Sequence, residues 1–319
     1  DFCLSRGLGD VYKRQIQSHL APRLIGRSAF DIAAISASLD DALHGRLYAK
    51  GPLLDALLDI QGHLLNLPVY ALLGGRARAD IPVCCVLTLR DDPARTVEEA
   101  LRFKQRGFTT YTVKVGKNVR QDVHNVAAVR EALGDDASLY VDANGSLNFD
   151  DALRLLHELA PYRIDGAEQP LAHWDLDGAA ALAARSPVAL LLDESIGSTH
   201  DLFGATQRRA ATGVQTKTAK NGGAWHIRQL WTLASAAGWR IRPGNHPSTS
   251  LATLSVAHLA TAWGGPLLEG PFAGGIDGEL AGDVVTQPVR LQGNRLALDD
   301  RPGWGVELDP DALERWRIA

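Results

Sequence analysis

Thr110-Tyr111-Thr112-Val113-Lys114 is followed by a stretch carrying Val123, Val126, Ala127, Val129, Ala132 and Leu133, and then by Ser138-Leu139-Tyr140-Val141-Asp142. The outer segments are short and β-rich. The apolar residues between them recur at three- and four-residue spacing, so one face of a helix can pack on the flanking strands. A strand–helix–strand unit of this length joins parallel neighbours. The alternation continues on both sides, with candidate strands near residues 81–87, 110–115, 138–142, 164–168, 188–193, 213–217, 239–243 and 266–269. Eight such steps predict an α/β protein built as a (β/α)₈ TIM-type barrel. An open doubly wound sheet is the alternative, but no GxGxxG or GxxxxGKS/T loop follows the first strand, so its usual nucleotide-binding fingerprint is missing.

The flanks suggest a second unit. Residues 16–75 read as helices; Ala42 to Leu65 is broadly apolar with expected breaks at Gly51 and Pro52, and the pattern stops at Leu73-Gly74-Gly75. After the barrel, the chain is rich in Gly, Asp and Pro, and Val284 to Leu298 suits short strands that pack back onto the helical unit. The expected organisation is therefore 16–80 as the helical remnant of an α+β capping domain, 81–273 as the barrel, and 274–319 as a segment returning to the cap. Residues 1–15 show no helical or strand period and join abruptly to Ile16. Leu4 to Gln15 resembles translated adapter read-through, so 1–15 is expected to be a non-native prefix that makes few contacts, in front of an N-terminally truncated cap.

Composition narrows the function. The 319 residues are 45% hydrophobic and 22% charged, with a formal net charge of -4, which leaves no basic field for nucleic acid. Apolar runs such as Val188 to Leu192 are far shorter than the roughly 20 residues that span a bilayer, so a cytoplasmic protein with no membrane partner is expected. The cysteines are Cys3, Cys84 and Cys85. An odd count with an adjacent pair in an apolar run points to reduced core or barrel-lining thiols.

Five ionisable residues fall at or near the ends of successive strands: Lys114, Asp142, Glu168, Asp193 and Lys217, at separations of 28, 26, 25 and 24 residues. In a βα barrel the C-terminal strand ends open onto one face, so residues recurring once per unit converge on one mouth. Three carboxylates there, with no compensating cluster of arginines, repel one another, and such hard oxygen donors suit Mg²⁺. A lysine beside that site serves as acid or base only if its pKa comes down toward neutrality. Singly, each residue has a plainer reading: Asp142 as part of a turn with Asn144-Gly145 at positive φ, Glu168 as a solvated strand end, Asp193 as a helix cap, and the lysines as surface charges.

The ordered set Lys114-Val115-Gly116, Val141-Asp142-Ala143-Asn144-Gly145, Glu168-Gln169-Pro170, Asp193-Glu194-Ser195 and Lys217-Thr218-Ala219-Lys220-Asn221-Gly222-Gly223 resembles the successive motifs of the enolase superfamily, in its mandelate racemase/muconate lactonizing enzyme family. Tyr48-Ala49-Lys50 and Pro68 to Gly75 resemble that family's capping domain, and the likeness runs from about Ile16 to the C-terminus. Enolase-superfamily sites use a Lys or His base with Mg²⁺ to hold an enediolate, so this mechanism is implied by the resemblance. By the same resemblance Asp142, Glu168 and Asp193 bind Mg²⁺, with Mn²⁺ as a substitute, and Lys114 and Lys217 face the two sides of the substrate's α-carbon. The partner implied is a small carboxylate, and the assembly a homo-oligomer.

Two positions depart from the family pattern. The second strand usually carries Lys-x-Lys; here Thr112 stands in the first position, on the same side as Lys114, so Lys114 is expected to be a weaker base or its pocket to suit a different substrate. Glu269 lies closer to Gly270-Pro271 than the corresponding glutamate, and reads equally as a structural carboxylate. His246, in the loop after the seventh strand, is a candidate substrate contact. Asn144 and Glu194 belong to the same mouth, and Lys220 to the surroundings of Asp193 or Glu194. Trp225 and Trp231 read as packing residues. The outcomes implied are cycloisomerisation of a muconate-like diacid first, then racemisation or epimerisation, then dehydration. A reading of another class is a metal-binding fragment without turnover.

Overall fold

A computed structural model describes residues 5–88, 90–271 and 280–317. Eight strands alternate with helices: β1 (Asp80–Leu87), β2 (Thr110–Lys114), β3 (Ser138–Asp142), β4 (Gly166–Glu168), β5 (Leu190–Leu192), β6 (Gly213–Lys217), β7 (Arg240–Gly244) and β8 (Gly270–Pro271). All pair in parallel, in the order β7-β6-β5-β4-β3-β2-β1-β8. Backbone bonds from Leu268 N to Ile241 O (2.8 Å) and Asn245 N to Pro271 O (3.2 Å) tie the last strand to β7 and nearly close the barrel.

The eighth strand lies at 270–271 rather than 266–269, and local sterics give the reason. A Cβ at Gly270 would lie 1.4 Å from Pro243 O, so only glycine lets the two backbones approach here. Pro243 also has no N–H to offer a regular ladder. Single bonds therefore stitch this seam.

The helices follow their sequence signals. Asp92, Asn118, Asn148, Asp175 and Ser198 each accept a backbone N–H at a helix N-terminus, ending five of the βα loops. Helix Phe149–Leu159 buries Ala152, Leu155, Leu156 and Leu159, the expected three- and four-residue spacing. Strand side chains alternate faces, and the register Lys114↔Asp142↔Glu168 gathers those three on one face at one height. One layer lower the same register aligns Thr112, Tyr140 and Gly166, while Gln215 pairs with Arg242 across β6 and β7. Apolar branched residues dominate such layers in most barrels; this one is polar.

Helices Leu47–Leu65 and Val69–Leu72 pack on the helices that follow β6 and β7, and Ile32–Ala42 packs on Leu47–Leu65. The expected break at Gly51 and Pro52 does not occur, because Leu47–Leu65 is continuous. Pro52 falls in its second turn, where its missing N–H leaves only the Tyr48 carbonyl without an intrahelical bond. A Cβ at Gly51 would stand 2.8 Å from Gly222 C and Gly223 N, so glycine lets this helix press backbone to backbone on the barrel.

The N-terminal expectation is corrected. Ser5–Gln15 is a helix that runs on into a π-helical turn at Ile16–Leu20, and Tyr12 stacks on Tyr48 with ring centroids 5.8 Å apart. Gly7 and Gly9 weaken the local helix signal, which hides the pattern in the sequence. At the other end, Arg295–Ala297 (β9) pairs antiparallel with β1, so the strand returns to the barrel and not to the helical unit. Contact with the helical unit comes instead from Gly303 O, which accepts from Val69 N, and from Trp304, whose N donates to Asp59 Oδ1 at 2.8 Å. Cys84 and Cys85 are buried thiols; Cys3 and the expected boundary at 273/274 lie outside the described residues. Among the described residues no helix is long and apolar enough to cross a membrane.

Candidate active site

The five spaced residues meet at the C-terminal mouth. Lys114, Asp142, Glu168 and Lys217 line one cavity of about 400 Å³, together with Thr112, Asn144, Glu194 and His246. Asp193 lies behind its wall, fully buried, and Lys220 behind Asp193. Glu269 is not among the lining residues. Its Oε2 is buried without a hydrogen-bond partner, and its engaged group is the backbone carbonyl, which accepts from Arg242 Nε at 3.0 Å.

Each carboxylate is held by a cation of the protein. Lys114 Nζ stands 2.5 Å from Asp142 Oδ2 and 2.6 Å from Asn144 Oδ1, and Asn144 Nδ2 donates to Glu194 Oε1 at 3.0 Å. Lys217 Nζ bonds Asp193 Oδ2. Arg242 Nη1 donates to Glu168 Oε2 at 2.9 Å. Lys220 Nζ donates to the carbonyls of Asp193, Ile196 and Gln215, so it fixes the loop after β5.

The plainer readings fare unequally. The turn at Asn144-Gly145 is present, with φ of 46° and 70°, and Asp142 Oδ1 accepts from Asn144 N within it. Asp142 is thus both turn residue and site residue. Asp193 caps nothing, because Ser198 caps the next helix. Glu168 is 3% exposed and is no solvated strand end. Trp231 is buried with Nε1 donating to Thr216 Oγ1, a packing role.

Electrostatics follow from burial and crowding. Glu168 is pushed up to about 8 by burial first, then by Asp142 and Asp193, against the opposing pull of Arg242 and Lys217. Burial works against the charged form of Asp193 too, but Lys220 and Lys217 together hold this carboxyl below the usual range. Burial likewise opposes the Lys217 ammonium, yet Asp193, Glu168 and Asp142 outweigh it and hold it above the ordinary lysine range. The lysine expected to be lowered is raised by the protein's own groups. His246 is lowered to about 4 by burial and by Lys217, so it is neutral.

Among the described residues no three His, Cys, Asp or Glu side chains are grouped so as to hold a metal ion, since lysine and arginine heads stand on the carboxylates. The donor chemistry nonetheless fits a hard divalent cation. Three buried carboxylates sit at neighbouring strand ends, and beside burial, Asp142 and Asp193 add to the upward push on Glu168. Asp193 Oδ1 is buried without a well-directed hydrogen bond, although Lys220 Nζ stands 3.1 Å away.

Three residues escaped the sequence reading. Arg242 was hidden by the assumption that no arginine compensates the carboxylates. Gln169, at φ 38°, accepts from Asp193 N and Ser195 N through Oε1 and so shapes the β5 loop. Tyr48, from the helical unit, feels Lys217, Asp193 and Glu194, though burial and then Tyr12 are the stronger causes of its upward shift. The signal for Arg242 in the sequence is its place 25 residues after Lys217, on the same βα period.

Comparison with known proteins agrees with this geometry. The description "Enolase C-terminal domain-like" matches residues 95–312, and "Mandelate racemase / muconate lactonizing enzyme, N-terminal domain" matches residues 3–74. The likeness therefore does not begin at Ile16, and the truncated-cap expectation is not upheld. Muconate cycloisomerase 1 of Pseudomonas putida is 35% identical over 95% of this chain and 81% of its own length. The N-succinyl-L-Arg/Lys racemase of Bacillus cereus is 33% identical over 94% and 80%. The crystal structure of that racemase superposes with a TM-score of 0.92 at 30% identity, covering 97% of this chain and 83% of its own. Muconate lactonizing enzyme from Pseudomonas putida gives 0.91 at 34% identity, covering 96% and 85%. The chain is an isomerase of the enolase superfamily and belongs to its mandelate racemase / muconate lactonizing enzyme family.

Proposed function

We propose that this chain catalyses a muconate cycloisomerase-like reaction, in which a proton is delivered to, or taken from, the carbon next to a substrate carboxylate through an enolate. The observation that carries the reading is the pair of lysines, one on β2 and one on β6, facing a shared cavity across a row of three buried carboxylates. Lys217 is an ammonium and so carries a proton to deliver, which its carboxylate neighbours would release once a bound cation took up their charge. Lys114, with 28% of its side chain exposed against 11% for Lys217, faces the more open side. A general acid or base must reach the transferred proton directly, and a small carboxylate lying between the two ammonium groups meets that requirement.

Asp142, Glu168 and Asp193 are the residues that would hold Mg²⁺, or Mn²⁺ in its place. Such a cation supplies Lewis-acid stabilisation of negative charge on the substrate carboxylate. Asn144, bonded to both Lys114 and Glu194, orients the acid–base head, and neutral His246 offers a hydrogen bond without adding charge. In the same reading the protein acts as a cytoplasmic homo-oligomer.

A second reading, racemisation or epimerisation, is favoured by the presence of both lysines, since a 1,1-proton transfer needs a group on each face. Incubation with Mg²⁺ in D₂O separates the two. Lactone formation from muconate, followed by NMR, supports cycloisomerisation. Deuterium at the α-carbon of an N-succinyl amino acid, with loss of chirality, supports racemisation. Neither product from a panel of carboxylates, with metal bound, leaves a metal-binding protein without turnover.

A further inference from the structure

The guanidinium of Arg242 is held from several sides inside the barrel. It is fully buried, and five groups from five strands or strand ends fix it. Nη1 donates to Glu168 Oε2 at 2.9 Å, and Nη2 to Thr112 Oγ1 at 2.7 Å and Cys84 Sγ at 3.1 Å. Nε donates to the Glu269 carbonyl at 3.0 Å, and the guanidinium carbon lies 4.1 Å from the centre of the Tyr140 ring. A planar fork bound at every corner cannot turn away from one partner without abandoning the others.

We infer that Arg242 is a positioning residue that claims one oxygen of Glu168, so that this carboxylate offers the mouth its other oxygen only, and that this tilts the site toward Mg²⁺ over Ca²⁺. The inference rests on the metal reading proposed above. Ca²⁺ fills a large, flexible shell and often takes both oxygens of a carboxylate, whereas Mg²⁺ demands a compact octahedron in which one oxygen per carboxylate suffices. Oε2 is drawn toward a guanidinium that reaches in from the layer below, so turning both oxygens to the mouth strains or breaks the bond from Nη1, and in a floor without solvent nothing replaces that bond. Thr112 makes the arrangement possible: its short side chain accepts from Nη2, and a longer one would occupy the space of the guanidinium itself. The positive charge that β2 lacks at this height is delivered from β7.

The test uses the full chain and four proteins: wild type, Arg242→Met, Arg242→Lys and Thr112→Val. Near-ultraviolet circular dichroism and thermal unfolding establish that each is folded. Bound Mn²⁺ is followed by electron paramagnetic resonance while Mg²⁺ or Ca²⁺ displaces it, which reads selectivity without turnover. The ratio of Ca²⁺ to Mg²⁺ affinity is expected to rise about tenfold in Arg242→Met, and by smaller factors in Arg242→Lys and Thr112→Val. An unchanged ratio in folded Arg242→Met overturns the inference while leaving the metal site standing. Should that variant not fold, an unchanged ratio in both Arg242→Lys and Thr112→Val overturns it equally. Wild type that binds no Mn²⁺ removes the metal reading itself, and the inference with it.

Discussion

Lys114 and Lys217 stand four strands apart in either direction around the barrel, each with its ammonium on a carboxylate of the row between them, Asp142 for one and Asp193 for the other. In the proposed reading, a substrate in that gap presents one face to each lysine. Lys217→Ala and Lys114→Ala should each lower turnover by about 10²–10⁴-fold. If the reaction is a racemisation, each variant should still exchange the α-proton on one stereochemical face, whereas a cycloisomerase depends mainly on one lysine. Stereospecific deuterium exchange by NMR reads the difference. Full activity in the double variant would end the proton-transfer mechanism.

The raised carboxyl of Glu168 gives a pH dependence with a definite sign. Its folded pKa, about 8, lies above the unfolded value of 4.5, so the folded state binds more protons between those limits. Stability from this group is complete below the unfolded value and is lost as pH rises through about 8. Metal-stripped protein should therefore melt lower at pH 8.5 than the other groups alone dictate. Mg²⁺ should raise the melting temperature most at the alkaline end, where the carboxylate is ionised. Glu168→Gln should flatten this limb, and an alkaline limb that persists in that variant would assign it elsewhere.

The barrel and five of its mouth residues were legible because a βα unit has nearly constant length, which turns a spatial ring into a sequence period. Lys114, Asp142, Glu168, Asp193 and Lys217 fall on that period. Arg242 falls on it as well, 25 residues after Lys217, but its role stays hidden because its partner Glu168 lies three strands away and only the folded barrel brings them together. Gln169 was visible only as a motif letter, since its role depends on a left-handed backbone that few non-glycine residues adopt. The eighth strand lies just beyond the expected 266–269, at Gly270–Pro271, because the Gly270–Pro243 approach is a tertiary constraint. The helix Ser5–Gln15 was missed because its stacking partner, Tyr48, lies in another helix.

Gln169 gives a stability prediction. Its Oε1 accepts from two backbone donors of the β5 loop, Asp193 N at 2.9 Å and Ser195 N at 3.1 Å, while Nε2 donates to Leu171 O and Ser195 Oγ. Gln169→Ala leaves both donors without that acceptor, at a cost of about 1–3 kcal/mol for a buried group so stranded. Urea denaturation should show the loss, and Mn²⁺ affinity should fall with it because Asp193 loses its support. A variant as stable as wild type would mean that Lys220 alone holds the loop.

Thr112 supplies the last prediction, and the structure reverses the direction the sequence suggested. Read against the family pattern, Thr112→Lys restores an absent ammonium beside Lys114 and should help it act as a base. Arg242 Nη2 already lies 2.7 Å from Thr112 Oγ1, so the positive charge is present, brought in from the far side of the barrel. A lysine at 112 would bury a second cation against a guanidinium that has no exposed surface, with no carboxylate left over for it. Thr112→Lys should therefore lose roughly 3 kcal/mol or more of unfolding free energy and most of its activity. Removing the resident cation inverts the outcome. In the Arg242→Met background Thr112→Lys should recover much of the stability lost by Arg242→Met alone, because the new ammonium can reach Glu168 from β2. Urea midpoints of the four proteins form a double-mutant cycle in which the double variant should be more stable than the two single losses added together. Additive losses across the cycle would show that the two positions do not exchange charge.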